Sequence, residues 1–351
     1  MKKLFFYILS LFLALLFFYL FFFIYFFFTF EKDFKYNFKD IESLNFYKKY
    51  SKSINHLRFQ PDYKYNLSPE EQLFTKLNNS NQSKKILLQG DSWIEVILKR
   101  EKAKNYFLDS IKGEAQIINA GISSYSPSLM NVQFDILEKD FNIKPEILLV
   151  YIDQTDIGDE LCRYRDKISI KNNKIIIPYD KKKYNYFNDY FFIERQKIIR
   201  SENLNFFRFI KLINYTFNYN LAKNKKSECS IDNILEPLNK LDIEDANYFI
   251  KTLEKFINVS KKNKIEKIIL ISHPHKNHLN QTYSVNVKNL IDLYLKQIKE
   301  DLDINHYYIN NFKYSKSISI FRENDQASHL NQAGYENFID QIIDIINLET
   351  K

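Results

Sequence analysis

The chain has 351 residues, 45% of them hydrophobic and 17% aromatic, with 51 Lys and Arg against 43 Asp and Glu for a formal net charge of +8. That length holds one large domain or two small ones, because a single core stops growing near about 250–300 residues. The basic residues are spread among acidic ones, the pattern of a solvated surface, which argues against nucleic acid as a partner; the only two cysteines, Cys162 and Cys229, exclude a disulfide framework and a cysteine metal site and leave their own pairing open.

From Leu4 to Phe30 no charged residue occurs, and Phe, Leu, Ile, Tyr and Ala fill nearly every position. Roughly 20 apolar residues suffice to cross a bilayer. A cleavable signal has a shorter apolar run and small residues at its cleavage site, whereas this run ends in Phe26-Phe27-Phe28-Thr29-Phe30. Residues 1–30 are therefore expected to form a transmembrane signal anchor. Lys2 and Lys3 precede the span, and Glu31, Lys32, Asp33 and Lys35 follow it with mixed sign. That asymmetry predicts a cytoplasmic N-terminus and a globular part on the periplasmic or extracellular side. Residues 31–83 are polar and aromatic with weak periodicity, read as a stem or linker, and close on Asn78-Asn79-Ser80-Asn81-Gln82-Ser83.

From Lys84 the pattern changes to short aliphatic runs alternating with helical stretches. Strands are expected at 85–89, 115–119, 146–152 and 265–272, with a weaker one at 307–309; helices are expected at 93–111, 127–141, 246–262 and 287–300, and a last one after Asn331. The alternation predicts an α/β fold, a three-layer sandwich around a parallel sheet, with functional loops at the carboxyl ends of the strands. Residues 157–243 interrupt it. They are too long for a simple connection and read as an inserted subdomain or lid, with a hairpin around 167–178 and helices near 190–199 and 204–215. The catalytic domain is then 84–156 with 244–351.

The first strand runs into Gly90-Asp91-Ser92-Trp93, and a helix follows. A serine hydroxyl there stands at the carboxyl edge of the sheet and at a helix N-terminus, where free N–H groups favour developing negative charge. The same residues also spell a capping box, Ser92-Trp93-Ile94-Glu95, in which Ser92 would only close the helix start. Near the other end, Asp325-Gln326-Ala327-Ser328-His329 leads into an amphipathic helix, so that a histidine and an upstream carboxylate offer a general base and its orienting group. Three of the five glycines, Gly90, Gly121 and Gly334, fall in or beside such stretches.

Together these pieces resemble the GDSL/SGNH hydrolase superfamily over roughly residues 84–156 and 245–347, in the family's block order. The resemblance implies a flavodoxin-like α/β/α sandwich that hydrolyses esters, with acyl transfer as a variation, and the outward-facing anchor points to O-acetyl groups of an envelope glycan, or a cell-surface polysaccharide as acyl acceptor, as the expected substrate. The resemblance also implies Ser92 as nucleophile, His329 as base and Asp325 as acid, with an oxyanion hole from Ser92, Ser124 and Thr155. Ser124 stands where the family has a glycine, Thr155 where it has an asparagine, and Asp325 lies four residues before His329 where the family spaces its acid three before. A non-catalytic sandwich that binds glycan or partner proteins is the rival reading.

Of the remaining features, His273-Pro274-His275-Lys276-Asn277-His278 reads as a functional-edge loop, with no carboxylate or cysteine nearby to suggest a metal. Asp156, Asp159, Glu160, Arg163 and Arg165 read as an internal ion-pair network, while Asp91, Asp156 and Arg163 are also candidates for substrate contact. No cofactor or metal is expected; the partners expected are an ester-bearing small molecule or glycan, and the membrane through the N-terminal helix.

Overall fold

The computed structural model describes residues 2–34, 41–54, 68–78, 84–99, 101–112, 115–172, 174–177, 210–215, 217, 229–279, 282–298, 303–309 and 320–350. The chain opens with α1 (Lys2–Phe34), whose apolar side chains are exposed, Leu4 at 65% and Phe17 at 72%. Its stretch Lys2–Phe21 is long and apolar enough to cross a membrane.

Next come α2 (Ile41–Tyr50) and a short edge strand, β1 (Thr75–Lys76). Both lie in the segment read from sequence as a stem or linker. Tyr47, Tyr50 and Ile54 are buried in the domain core, and β1 pairs antiparallel with a sheet strand. Burying three such side chains contributes about 1.5–3 kcal/mol each, enough to hold the segment against the domain.

The alternating part follows as β2 (Lys84–Gln89), α3 (Ser92–Lys99), α4 (Glu101–Ser110), β3 (Ala115–Asn119), α5 (Pro127–Phe141) and β4 (Ile147–Ile152). After β4 a short helix, α6 (Asp156–Gly158), continues into a wide π turn over Asp159–Tyr164 and a 3-10 turn over Arg165–Lys167. A hairpin of β5 (Ser169–Lys171) and β6 (Lys174–Ile176) lies where one was expected. Then come α7 (Ile231–Asn239), α8 (Ile243–Lys262), β7 (Lys267–Ser272), α9 (Lys276–Leu279), α10 (Val287–Gln297), β8 (Ile304–Tyr308) and α11 (Gln332–Glu349). The helix expected near 190–199 lies outside the described residues, and of 204–215 only 210–215 is described, as helix.

The main sheet has the order β1-β3-β2-β4-β7-β8, parallel throughout except for β1. Counting only the parallel strands in chain order, this is 2-1-3-4-5, the doubly wound arrangement. Side chains alternate between faces as a strand requires. Ile86, Leu88, Leu149, Tyr151, Ile269 and Ile271 join one core with Trp93, Ile97, Phe107 and Phe338 of α3, α4 and α11. Leu87, Leu148, Val150, Ile152 and Leu270 join the other with Phe134, Phe249, Phe256 and Ile291 of α5, α8 and α10. Both faces of the sheet are therefore covered, and the carboxyl ends of β2, β3, β4 and β7 open along one edge.

Cys162, in the π turn, and Cys229, just before α7, form a disulfide across 67 residues, with Cα atoms 5.8 Å apart. The bond ties α7 to the segment that follows β4.

Candidate active site

The edge of the sheet gathers residues from across the chain. Ser92 follows β2 and begins α3, and its Oγ lies 2.9 Å from Nε2 of His329. On the other side of that ring, Nδ1 lies 2.8 Å from Asp325 Oδ2. A carboxylate at Nδ1 fixes the proton there, which leaves Nε2 as acceptor and the serine as donor. Burial alone would raise the Asp325 carboxyl, but the hydrogen bond and charge of His329, the N–H of Ala327 and the charge of Arg322 outweigh it and hold the acid below its ordinary value. It stays a carboxylate.

Ser92 does not close the helix start. Asp91 does, accepting from Trp93 N at 2.9 Å through Oδ1, while its Oδ2 stands 3.3 Å from Ser92 Oγ. Glu95, the other half of the expected capping box, instead accepts from Ser123 N at 3.2 Å. The serine hydroxyl is thereby left to the imidazole. Gly121 makes this possible, since a Cβ there would sit 2.5 Å from Glu95 N, inside the first turn of α3.

The spacing of four between Asp325 and His329 is met by a turn with two left-handed residues, Asn324 at φ 58° and Ser328 at φ 62°. Ser328 N donates to Asp325 O and Ala327 N to Asp325 Oδ1, so the loop folds back on its own carboxylate. The loop after β7 holds it from outside. His275 Nε2 donates to Gln326 O at 2.9 Å and Nδ1 accepts from Asn277 N at 3.2 Å; burial pushes this imidazole down to about 4, so it is neutral and its tautomer set. Lys276 donates through Nζ to Asp325 O, and its N–H reaches Ser328 Oγ at 3.3 Å. This buttress was not foreseen from sequence, although its residues stand in the loop singled out there.

The other two histidines of that loop are structural. His273 is buried, pushed well below its ordinary value by burial, hydrogen-bonded to Tyr151 OH at 2.6 Å and packed on Trp93 with ring centroids 3.8 Å apart. His278 accepts from His275 N at Nδ1 and donates to Val285 O through Nε2 at 2.7 Å.

Ser124 follows β3 at φ 62°. That is the left-handed region that glycine prefers. Its Oγ accepts from Arg163 Nη1 at 2.6 Å and its carbonyl from Tyr164 OH, so the turn is clamped from the π segment. Arg163 also pairs with Asp159 at 2.8 Å; as expected for the charged cluster, its partners are internal. Glu160 accepts from Ser126 Oγ at 2.8 Å and Ser128 N at 2.6 Å, and Arg165 pairs with Glu244 at 3.0 Å and with Asp245.

Two sequence candidates, Thr155 and Asp156, bond to Asp153. The hydroxyl and N–H of Thr155 both donate to Asp153 Oδ2, while the residue lines the cavity over Ser92. Asp156 is fully buried and accepts from Asp153 N at 2.9 Å; it braces the end of β4 and does not line the cavity. A cavity of about 80 Å³ does lie over Ser92, walled by Asp91, Ser124, Asp153, Thr155, Arg163 and His329 and closed by Ile231 and Ile234 of α7. Burial, with the charge of neighbouring acids, raises the carboxyls of Asp91 and Asp156, while burial raises that of Asp153. Burial likewise pushes Asp159 up to about 6, against the pull of Arg163, and Glu160 up to about 7.

No family model matches the chain, and no curated protein matches it. Among solved structures it is similar to a variant of an acetyl-xylooligosaccharide esterase from Geobacillus Stearmophilus, at 13% identity and a TM-score of 0.38, over 77% of this chain and 96% of that one.

Proposed function

We propose that the protein is a membrane-anchored serine esterase of the SGNH type that removes short acyl groups, acetyl first among them, from an alcohol or sugar hydroxyl outside the cytoplasm. The observation that carries the reading is the relay from Ser92 through His329 to Asp325, at 2.9 and 2.8 Å, built at the carboxyl edge of a doubly wound sheet. Ser92 Oγ attacks the ester carbonyl and passes its proton to His329 Nε2. The carbon–oxygen bond to the alcohol then breaks, and the alcohol leaves with that proton. Water attacks the acyl-enzyme by the same route, its proton going to His329 and thence to Ser92 as the acid departs. Oxyanion donors in this reading are the backbone N–H groups of Ser92 and Ser124. With the Thr155 hydroxyl donating to Asp153 Oδ2, this reading takes no side-chain help from it, and loss of one such donor costs about 10²–10³ in rate.

A cavity of about 80 Å³ suits a short acyl group, since pockets for larger ligands run to about 300–1,000 Å³. The exposed apolar α1 supports an anchor, and the Cys162–Cys229 bond fits a domain on the oxidising side of the membrane. Because Thr155 is spent, the same frame serving as a glycan or partner binder without catalysis is the second reading. A fluorophosphonate probe separates them. The esterase becomes labelled, and Ser92→Ala abolishes the label; a folded wild-type protein that stays unlabelled would sink the catalytic reading.

A further inference from the structure

The three members of the relay are not held equally well by the chain around them. Ser92 heads α3. His329 is fastened by a small antiparallel ladder, in which Phe321 pairs with Leu330 and Arg322 N donates to His329 O at 2.9 Å. Asp325 stands in the turn between those two arms, beside two left-handed residues that are not glycine, Asn324 and Ser328. Such residues persist only where their surroundings over-determine them. The demand on this turn is strict, because a displacement of about 1 Å in a catalytic constellation forfeits about 10²-fold in rate.

What over-determines the turn comes from the loop after β7, which is itself pinned. His273 O accepts from Gln154 Nε2, His275 N donates to His278 Nδ1 at 3.1 Å, and Asn277 N donates to His275 Nδ1 at 3.2 Å. From that platform three donors reach the turn. Lys276 Nζ donates to Asp325 O, His275 Nε2 to Gln326 O at 2.9 Å, and Lys276 N to Ser328 Oγ at 3.3 Å. Of the three, only the lysine ammonium acts on the residue that carries the acid. It takes the main-chain carbonyl, which also accepts from Ser328 N at 3.2 Å and so has both lone pairs engaged. An ammonium on the carboxylate itself would compete with the imidazole for it. Placed on the carbonyl, it leaves Oδ2 to His329 Nδ1 and Oδ1 to Ala327 N.

We infer that Lys276 is a positioning residue for the acid of the relay: it fixes the main chain of Asp325 so that a carboxylate four residues before His329 meets Nδ1. Its reach from the pinned loop supplies the outside support that a catalytic group needs to hold its geometry. This rests on the esterase reading of Ser92.

The test is kinetic, on the full chain in detergent, with p-nitrophenyl acetate as substrate. Lys276→Met removes the ammonium and keeps an apolar stem. Lys276 is not among the residues that wall the Ser92 cavity, so the expected result is a fall of about tenfold in kcat with KM changed by less than about twofold. Lys276→Arg, which keeps a cationic donor, recovers most of the loss. The deciding comparison is made in Asp325→Ala, where the acid is already gone. There Lys276→Met costs less than about twofold, because two residues that act through one another are not additive. Fluorophosphonate labelling rates give the same comparison where turnover is too slow to read. A role in stability alone would lower the melting temperature, leave kcat of the folded protein unchanged and fall equally on both backgrounds. Should Lys276→Met show no cooperative melt, Lys276→Gln, whose polar end is one atom shorter, takes its place. The inference is overturned if kcat of the folded variant equals that of the wild type, or if the loss is the same size in Asp325→Ala. A wild type that neither labels nor hydrolyses the ester would instead remove the esterase reading itself.

Discussion

Glu160 holds one oxygen against Ser126 and Ser128, while its Oε2 has no hydrogen-bond partner among the described residues. Burial is what raises its carboxyl, from an ordinary 4.5 to about 7. The folded chain therefore keeps a proton up to about pH 7 that the unfolded chain releases near 4.5. Where the folded state binds more protons, stability falls as pH rises. The loss begins near pH 4.5, ends near 7 and amounts to about 3 kcal/mol if nothing relaxes. Asp159, raised to about 6, acts with the same sign over a lower window. The prediction is that the melting temperature declines between about pH 5 and 7 and that Glu160→Gln, neutral throughout, flattens part of that decline. Thermal melts across the window check it; an equal slope in wild type and variant would show that Glu160 is ionised when folded. None of this was visible in the residue string, where Glu160 is one of several charges after β4. Ser92 was visible but ambiguous. Ser-x-x-Glu reads alike in a capping box and in a nucleophile turn, and only the contact with His329, 237 positions away, separates them.

Elements that alternate strictly were legible and elements that do not were hidden. The strands β2, β3, β4 and β7 announce themselves because burial on both faces demands continuous aliphatic runs. By contrast α2 lies in a polar, aromatic stretch, and it is tied down by Tyr47, Tyr50 and Ile54, with Phe46 packed against the same core. The most consequential omission is α7. Its Ile231 and Ile234 close the cavity over Ser92, yet nothing in the insertion's composition distinguishes them from lid core. Two devices seat this helix. Gly158 lets it come so near that a Cβ would lie 1.9 Å from Ile234 O, and the Cys162–Cys229 bond closes a 67-residue loop whose far end enters α7. In the chain-entropy account such a loop is worth roughly 4 kcal/mol. Cys162→Ser with Cys229→Ser should therefore lower stability by up to about that amount, and it should free α7 to widen the cavity. The checks are a denaturant titration and the ratio of kcat/KM for p-nitrophenyl butyrate to that for the acetate. The expected result is a rise in that ratio; a ratio that stays put while stability falls would show that Gly158 packing alone positions the helix.

At the scale of the whole molecule, α1 stands apart from everything else. Its apolar side chains from Leu4 to Phe18 are exposed, and among the described residues none of it belongs to either domain core. A span of mean hydropathy 2.6 left in water would be a large aggregation liability, so a lipid environment is the physically consistent one. Lys2 and Lys3 at its start favour the cytoplasmic side for that end. The disulfide argues independently for the same orientation, because cytosolic thiols are kept reduced. These two arguments share no residue, which makes their agreement informative about topology. The reading predicts opposite protease sensitivity in vesicles of opposite sidedness. In right-side-out vesicles added protease should strip off the globular domain, while in inside-out vesicles the domain should be protected until detergent is added. The converse pattern would put Ser92 in the cytoplasm, remove the case for an envelope ester and leave the disulfide without an oxidising compartment to maintain it. Deleting residues 2–34 offers the matching control, since among the described residues neither core includes any of them. The truncated protein should leave the membrane fraction and still label with fluorophosphonate.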